Sequence, residues 1–155
     1  MQLTGGCQCG AIRYRADLDP ASAHLCHCRM CQKAAGNYFL PLASTPRSAF
    51  EVTRGALTWF ASSAVVQRGF CGACGTPLTF ESHAADTLAV TLGSLDTPSA
   101  IPPVVQSGSE SRLAWFHQLA GLPEETTADG EALFPGRLAA IAASNRQHPD
   151  HDTDG

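Results

Sequence analysis

The sequence predicts a mainly β fold with a few short helical segments, one of them near the C-terminus. Three observations carry this reading. Short stretches alternate apolar and polar residues, glycine and proline punctuate the intervals between them, and cysteines recur in glycine-flanked turns. Alternation marks Ala11 to Arg15, Tyr38 to Leu42, Leu57 to Phe60, Leu78 to Phe80 and Leu88 to Leu92 as half-buried strands. Arg29 to Ala35 suits one helical turn. Pro135 to Arg146 places Leu138, Ile141 and Ala142 on one face of a helix, with Pro135 in its first turn. Between these helices, Thr97 to Ser111 is rich in Pro, Ser and Gly and reads as a surface loop bordering a site.

A chain of 155 residues that is 44% hydrophobic is the size of one domain with one core, and we place its limits at residues 1–147. Residues 148–155 are polar, include His148 and His151, and are expected to form a disordered tail. Charged residues are only 15% and the formal net charge is -4, so the basic patch that nucleic acid requires is missing. The first residues lack a basic segment followed by an apolar run, and no stretch is long and apolar enough for a membrane helix. The expectation is a cytoplasmic protein with neither a nucleic-acid nor a membrane partner.

Seven cysteines are an odd number, which cannot all pair within one chain. They occur as Cys7-Gln8-Cys9, then Cys26, Cys28 and Cys31, then Cys71 and Cys74, with a glycine after Cys9, Cys71 and Cys74. Two thiolates in one tight turn reach the same ion only when one or two residues separate them, and zinc takes four such ligands at about 2.3 Å. The most economical division gives Cys7, Cys9, Cys71 and Cys74 to a closed structural site. It leaves Cys26, Cys28 and Cys31 around a catalytic ion with one open position. Two zinc ions per chain follow, the second held more weakly and partly empty after purification. A thiolate-rich open site suits capture of a thiol better than activation of water. The competing arrangement has metal only on the four outer cysteines, with the central three as buried or redox-active thiols. His27 lies between two cysteines, and in an extended strand it projects away from the metal. His24 falls on the ligand side of such a strand.

The runs GGCQCGAIRY, CHCRMCQKAAG and VVQRGFCGACGTPLTF resemble the glutathione-dependent formaldehyde-activating enzyme family, also described as the centromere protein V type domain. Trp115 and Gly121-Leu122-Pro123 are similar to that family's C-terminal signature. The resemblance implies a zinc-bound, β-rich Mss4-like fold and the same division of cysteines, with Cys26, Cys28 and Cys31 at the catalytic ion. It also implies carbon–sulfur lyase chemistry of the S-(hydroxymethyl)glutathione synthase type, on a small thiol such as glutathione or its aldehyde adduct. Lys33 and Arg68 match basic positions of the family pattern and are candidate substrate contacts; Arg47 is the third cation near the cysteine blocks. The chain departs from many members after Pro103, where Val104-Val105-Gln106 and Ser107-Gly108-Ser109 replace a histidine and an aromatic-rich stretch.

Two other functions fit the same residues. A non-catalytic zinc-stapled protein-interaction module uses the closed site alone. A redox sensor uses reversible oxidation of the central thiols. Trp59 and Phe60 are expected in the core, with a substrate platform as their alternative role.

Overall fold

The computed structural model describes residues 1–153. Asp154 and Gly155, the end of the expected tail, lie outside the described residues. The chain forms two compact units. The first comprises Met1–Arg112 together with the segment from His148 onward, and the second is Leu113–Gln147.

The first unit holds two sheets. Strands β1 (Gln2–Gly6), β2 (Arg13–Asp17) and β5 (Phe50–Arg54) form an antiparallel sheet of three in the order β1-β2-β5. Seven strands make the larger sheet: β3 (His24–Cys26), β4 (Leu40–Pro46), β6 (Thr58–Ala61), β7 (Val66–Phe70), β8 (Pro77–Ser82), β9 (Thr87–Thr91) and β10 (Val105–Ser107). Their order is β10-β3-β4-β9-β8-β7-β6, and only the β10–β3 pairing is parallel. Helix α1 (Arg29–Ala35) follows β3 directly. The mainly β expectation is therefore met.

Each strand read from alternation exists, with its start displaced by one or two residues and with β4 running four residues further, to Pro46. Ala11 and Ile12 belong to the turn that Cys7 closes by donating its N–H to the Ile12 carbonyl at 3.0 Å, so β2 starts at Arg13. Strands β1, β3, β5, β7 and β10 escape that pattern. The Thr97–Ser111 segment is not wholly loop, because β10 pairs Val105, Gln106 and Ser107 with His24, Leu25 and Cys26. Its valine and glutamine are exposed, so no alternation betrays it.

The main core contains the fully buried Tyr14, Leu18, Leu78, Val90 and Ile101, each apolar side chain contributing roughly 1.5–3 kcal/mol. Cys7 and Cys71 are buried in this core. A second cluster joins Cys31 to Leu40, Leu42 and Ala89 beside α1. Trp59 and Phe60 are not core residues: they are 43% and 60% exposed on β6, the edge of the larger sheet.

The described part of the tail is tied to the first unit rather than frayed. His148 donates its N–H to the Gln8 carbonyl at 2.7 Å, Asp152 accepts from Arg13 Nε at 2.8 Å, and Arg54 donates to Thr153. Arginines on β2 and β5 supply donors that a composition-based reading of a polar terminus does not see.

The second unit consists of short helices. In α2 (Thr127–Leu133) the Thr126 hydroxyl accepts from the Asp129 N–H while the Asp129 carboxylate accepts from the Thr126 N–H. Helix α3 (Arg137–Ser144) begins after Gly136, so Pro135 precedes the cap instead of occupying the first turn. Ile141 is 54% exposed and Leu138 is half-buried, so the apolar face of α3 is mostly uncovered.

Candidate metal centres and adjoining cavities

Four of the sulfurs meet between the two sheets' connections. Cys7 and Cys9 lie in the β1–β2 turn, Cys71 and Cys74 in the β7–β8 turn, and all four Sγ atoms fall within 4.8 Å of one another. Cys7 and Cys9 are 3.6 Å apart, Cys9 and Cys71 3.9 Å. A tetrahedron with zinc–sulfur bonds of about 2.3 Å has sulfur–sulfur edges of roughly 3.8 Å, so this donor set fits zinc. Backbone and hydroxyl groups orient it: the Ile12 N–H points at Cys7 Sγ at 3.2 Å, and Thr76 Oγ1 lies 3.2 Å from Cys74 Sγ. Thr76 Oγ1 also accepts from the Gln8 N–H at 3.1 Å, joining the two turns directly. Gly75 has φ 78° and donates to the Cys71 carbonyl at 2.8 Å; its left-handed backbone explains the glycine after Cys74.

Burial pushes the Cys7 thiol up to about 12, against a lowering backbone bond from Ile12. Burial acts the same way on Cys74, yet hydrogen bonds from the Thr76 hydroxyl and backbone and from Cys9 prevail and bring it to about 6. A group with one thiol raised and another lowered is poised for a cation to draw off the remaining protons.

The other three sulfurs, of Cys26, Cys28 and Cys31, also lie within 4.8 Å of one another, but all come from one short stretch of chain. Cys26 ends β3, Cys28 caps α1, and the Cys31 N–H donates to Cys28 Sγ at 3.4 Å. Burial would raise Cys28, but bonds from the Cys31 N–H, the neighbouring thiols and the Met30 backbone hold it below its ordinary value. Burial takes Cys31 up to about 12, opposed by Arg68. Arg68 Nη2 lies 3.4 Å from Cys31 Sγ, its Nε donates to Ser62 Oγ at 3.1 Å, and its guanidinium stacks 5.0 Å over Phe80.

Two cavities flank this group. The smaller, about 320 Å³, is lined by all three cysteines with His24, Leu42, Phe80 and Leu88. The larger, about 590 Å³, runs between α1 and strands β6 to β8 and is lined by both Lys33 and Arg68. The sequence-named cations thus reach one cavity, whereas Arg47 is engaged by Glu81 and by the Ser82 and Ala85 carbonyls. His27 turns from the sulfurs, its Nε2 being 3.0 Å from Gln106 Oε1. His24 Nδ1 lies 2.8 Å from the Ser22 carbonyl. The altered Ser107-Gly108-Ser109 stretch borders the cysteines: a Cβ on Gly108 would stand 2.9 Å from the Cys28 nitrogen.

Sequence reasoning missed Thr76, Phe80 and the apolar cavity walls. Thr76 had a signal, lying two residues past Cys74 in the turn that delivers it. Phe80 had none, since its partner Arg68 is known only once β7 pairs with β8.

The profile of the glutathione-dependent formaldehyde-activating enzyme family matches residues 2–110, which include all seven cysteines. The chain belongs to this family. A relative described as an uncharacterized lyase of Schizosaccharomyces pombe is 30% identical over 79 residues, which are 51% of this chain and 57% of that protein. The alignment thus spans little more than half of the relative's length. A crystal structure of a Rhodobacter sphaeroides protein shares the fold, with a TM-score of 0.58 at 24% identity, covering 68% of this chain and all of that one. The family match ends at residue 110, so it lies within the first unit, as do both sulfur groups. Among the described residues no helix is long and apolar enough to cross a membrane.

Proposed function

We propose that the protein is a zinc-dependent carbon–sulfur lyase acting on a thiol–aldehyde adduct, of the S-(hydroxymethyl)glutathione synthase type. The observation that carries this reading is a three-sulfur group opening into its own cavity while a separate four-sulfur group is complete. Cys7, Cys9, Cys71 and Cys74 would hold structural zinc, and Cys26, Cys28 and Cys31 the catalytic ion. Zinc held there would supply a Lewis acid that favours a substrate sulfur as thiolate at neutral pH.

The chain's own residues set the conditions for the reaction. Three thiolates holding a dication would carry one net negative charge, and the Arg68 guanidinium beside Cys31 stands where it would offset it. Leu42, Phe80 and Leu88 give the cavity beside the cysteines apolar walls, which would limit water around a carbon bound there. In the cleavage direction the carbon–sulfur bond breaks with its electron pair going to sulfur, the adduct hydroxyl releases its proton to solvent, and the aldehyde carbonyl forms. Addition is the reverse.

Carbon-13 exchange spectroscopy between formaldehyde and S-(hydroxymethyl)glutathione tests the assignment. The reading expects accelerated exchange that disappears in a folded Cys28→Ser variant; undiminished exchange in that variant overturns it. A zinc-stapled interaction module is the second reading, favoured by Trp59 and Phe60 standing exposed at the sheet edge. It expects partner capture independent of Cys26, Cys28 and Cys31.

A further inference from the structure

The larger cavity differs in character from the cysteine-lined one. Its volume of about 590 Å³ is that of a small-molecule site. Met30, Leu40, Phe60 and Phe70 supply apolar wall, and Met30 and Phe60 remain 48% and 60% exposed at its rim. Only Lys33 and Arg68 bring charge to it, and no carboxylate lines it, in a chain whose net charge is -4.

Arg68 is only 8% exposed, and neither it nor Lys33 has an ion-pair partner among the described residues. A guanidinium so far removed from water needs partners for its donors, and the sulfur group takes only the Nη2 side of the fork. Arg68 directs Nη2 to Cys31 and Nε to Ser62, leaving Nη1 of the fork for a ligand. The same side chain therefore borders both the sulfur group and the cavity.

We infer that this cavity receives the body of the thiol substrate, and that this body is apolar, carries a carboxylate held by Arg68 and Lys33, and has no ammonium group. The inference rests on the lyase reading for the position of the substrate sulfur. Glutathione, with an ammonium and a polar peptide body, finds no acidic partner here, so its accelerated exchange is expected to be slower than that of a thiol whose body is apolar and bears only a carboxylate. An aryl- or alkyl-substituted mercaptocarboxylate fits both the wall and the charge.

Calorimetry on the zinc-replete full chain tests this with four probes. The first is 3-phenylpropanoate; 3-phenylpropanamide removes its charge, phenylalanine adds an ammonium, and 2-mercapto-3-phenylpropanoate adds a thiol. The expected result is binding of 3-phenylpropanoate, weakened about tenfold or more in the amide, in phenylalanine and in Arg68→Gln, as when a charge-assisted hydrogen bond is lost. Arg68→Lys should recover part of the loss. Absence of 3-phenylpropanoate binding at millimolar concentration, or equal binding of the amide and phenylalanine, overturns the inference. The ligand comparisons need no variant, so they remain decisive even if the Arg68→Gln protein misfolds. The gain from adding the thiol, and its loss in Cys28→Ser, reports separately on the lyase reading. Carboxylate selectivity without a thiol gain refutes that reading alone, and a thiol gain without carboxylate selectivity refutes the cavity assignment alone.

Discussion

The two sulfur groups contain the same chemical ligand arranged in opposite ways. The four-sulfur group draws on turns from two different sheets, separated by 62 residues between Cys9 and Cys71, and two of its members are part of the main core. The three-sulfur group comes from residues 26–31 alone and faces a cavity. Ligands gathered from distant segments make metal binding inseparable from folding, whereas ligands from one local segment can lose an ion with the rest of the fold in place.

The sharpest way to break this contrast is to remove one sulfur from each group. Cys71→Ser should lose the closed site and unfold much of the first unit, because structural zinc contributes roughly 10–16 kcal/mol where a whole domain is stable by about 5–15. Circular dichroism and zinc content measure it, and a folded Cys71→Ser protein with unchanged melting would dissolve the distinction. Cys28→Ser, by contrast, should reduce zinc from two ions per chain to one and abolish turnover while the melting curve changes little. Elemental analysis during stepwise chelation sharpens the point, since the three-sulfur group should empty first.

A smaller effect is expected from the ion pair that backs the four-sulfur side. Arg13 is 3% exposed and bonds both oxygens of Asp96, at 2.8 and 2.5 Å, while Thr4 donates to the same carboxylate. Burial alone would raise Asp96, but Arg13 and Thr4 hold it below the usual carboxylate range. A lowered carboxylate stabilises the fold above its ordinary value of about 4 and loses that contribution as pH falls through the folded value. Asp96→Asn should cost about 3 kcal/mol at neutral pH with both metal sites retained, and its unfolding curves should converge with the parent's in acid. Smallest is Gly75→Ala. A side chain there meets nothing within 4 Å, so only the left-handed backbone is penalised, at about 1 kcal/mol in denaturant titration.

The contrast also separates what the sequence discloses from what it conceals. Sulfur spacing exposes both groups, because short cysteine intervals permit few geometries, and α1 spans Arg29–Ala35 as the sequence suggests. The cavity walls were illegible: Met30, Phe60, Arg68 and Pro77 converge only through the pairing of β6 with β7 and of β7 with β8. Strand β7 hid because its buried positions include Arg68 and Gly69, where a hydrophobic pattern expects apolar side chains. Helix α2 hid because its residues are mostly exposed and its cap uses Asp129 where Glu or Gln is the usual signal.

The ribosome meets these cysteines in an awkward order. Cys7, Cys9, Cys26, Cys28 and Cys31 have all been synthesised before Cys71 and Cys74 exist. A growing chain therefore presents five thiols to the metal pool with neither of the two residues that complete the closed site, so the local three-sulfur group can fill first while Cys7 and Cys9 wait for their partners. The closed site can be completed only once the β7–β8 turn appears, so zinc supply late in synthesis is expected to decide how much of the chain closes that site.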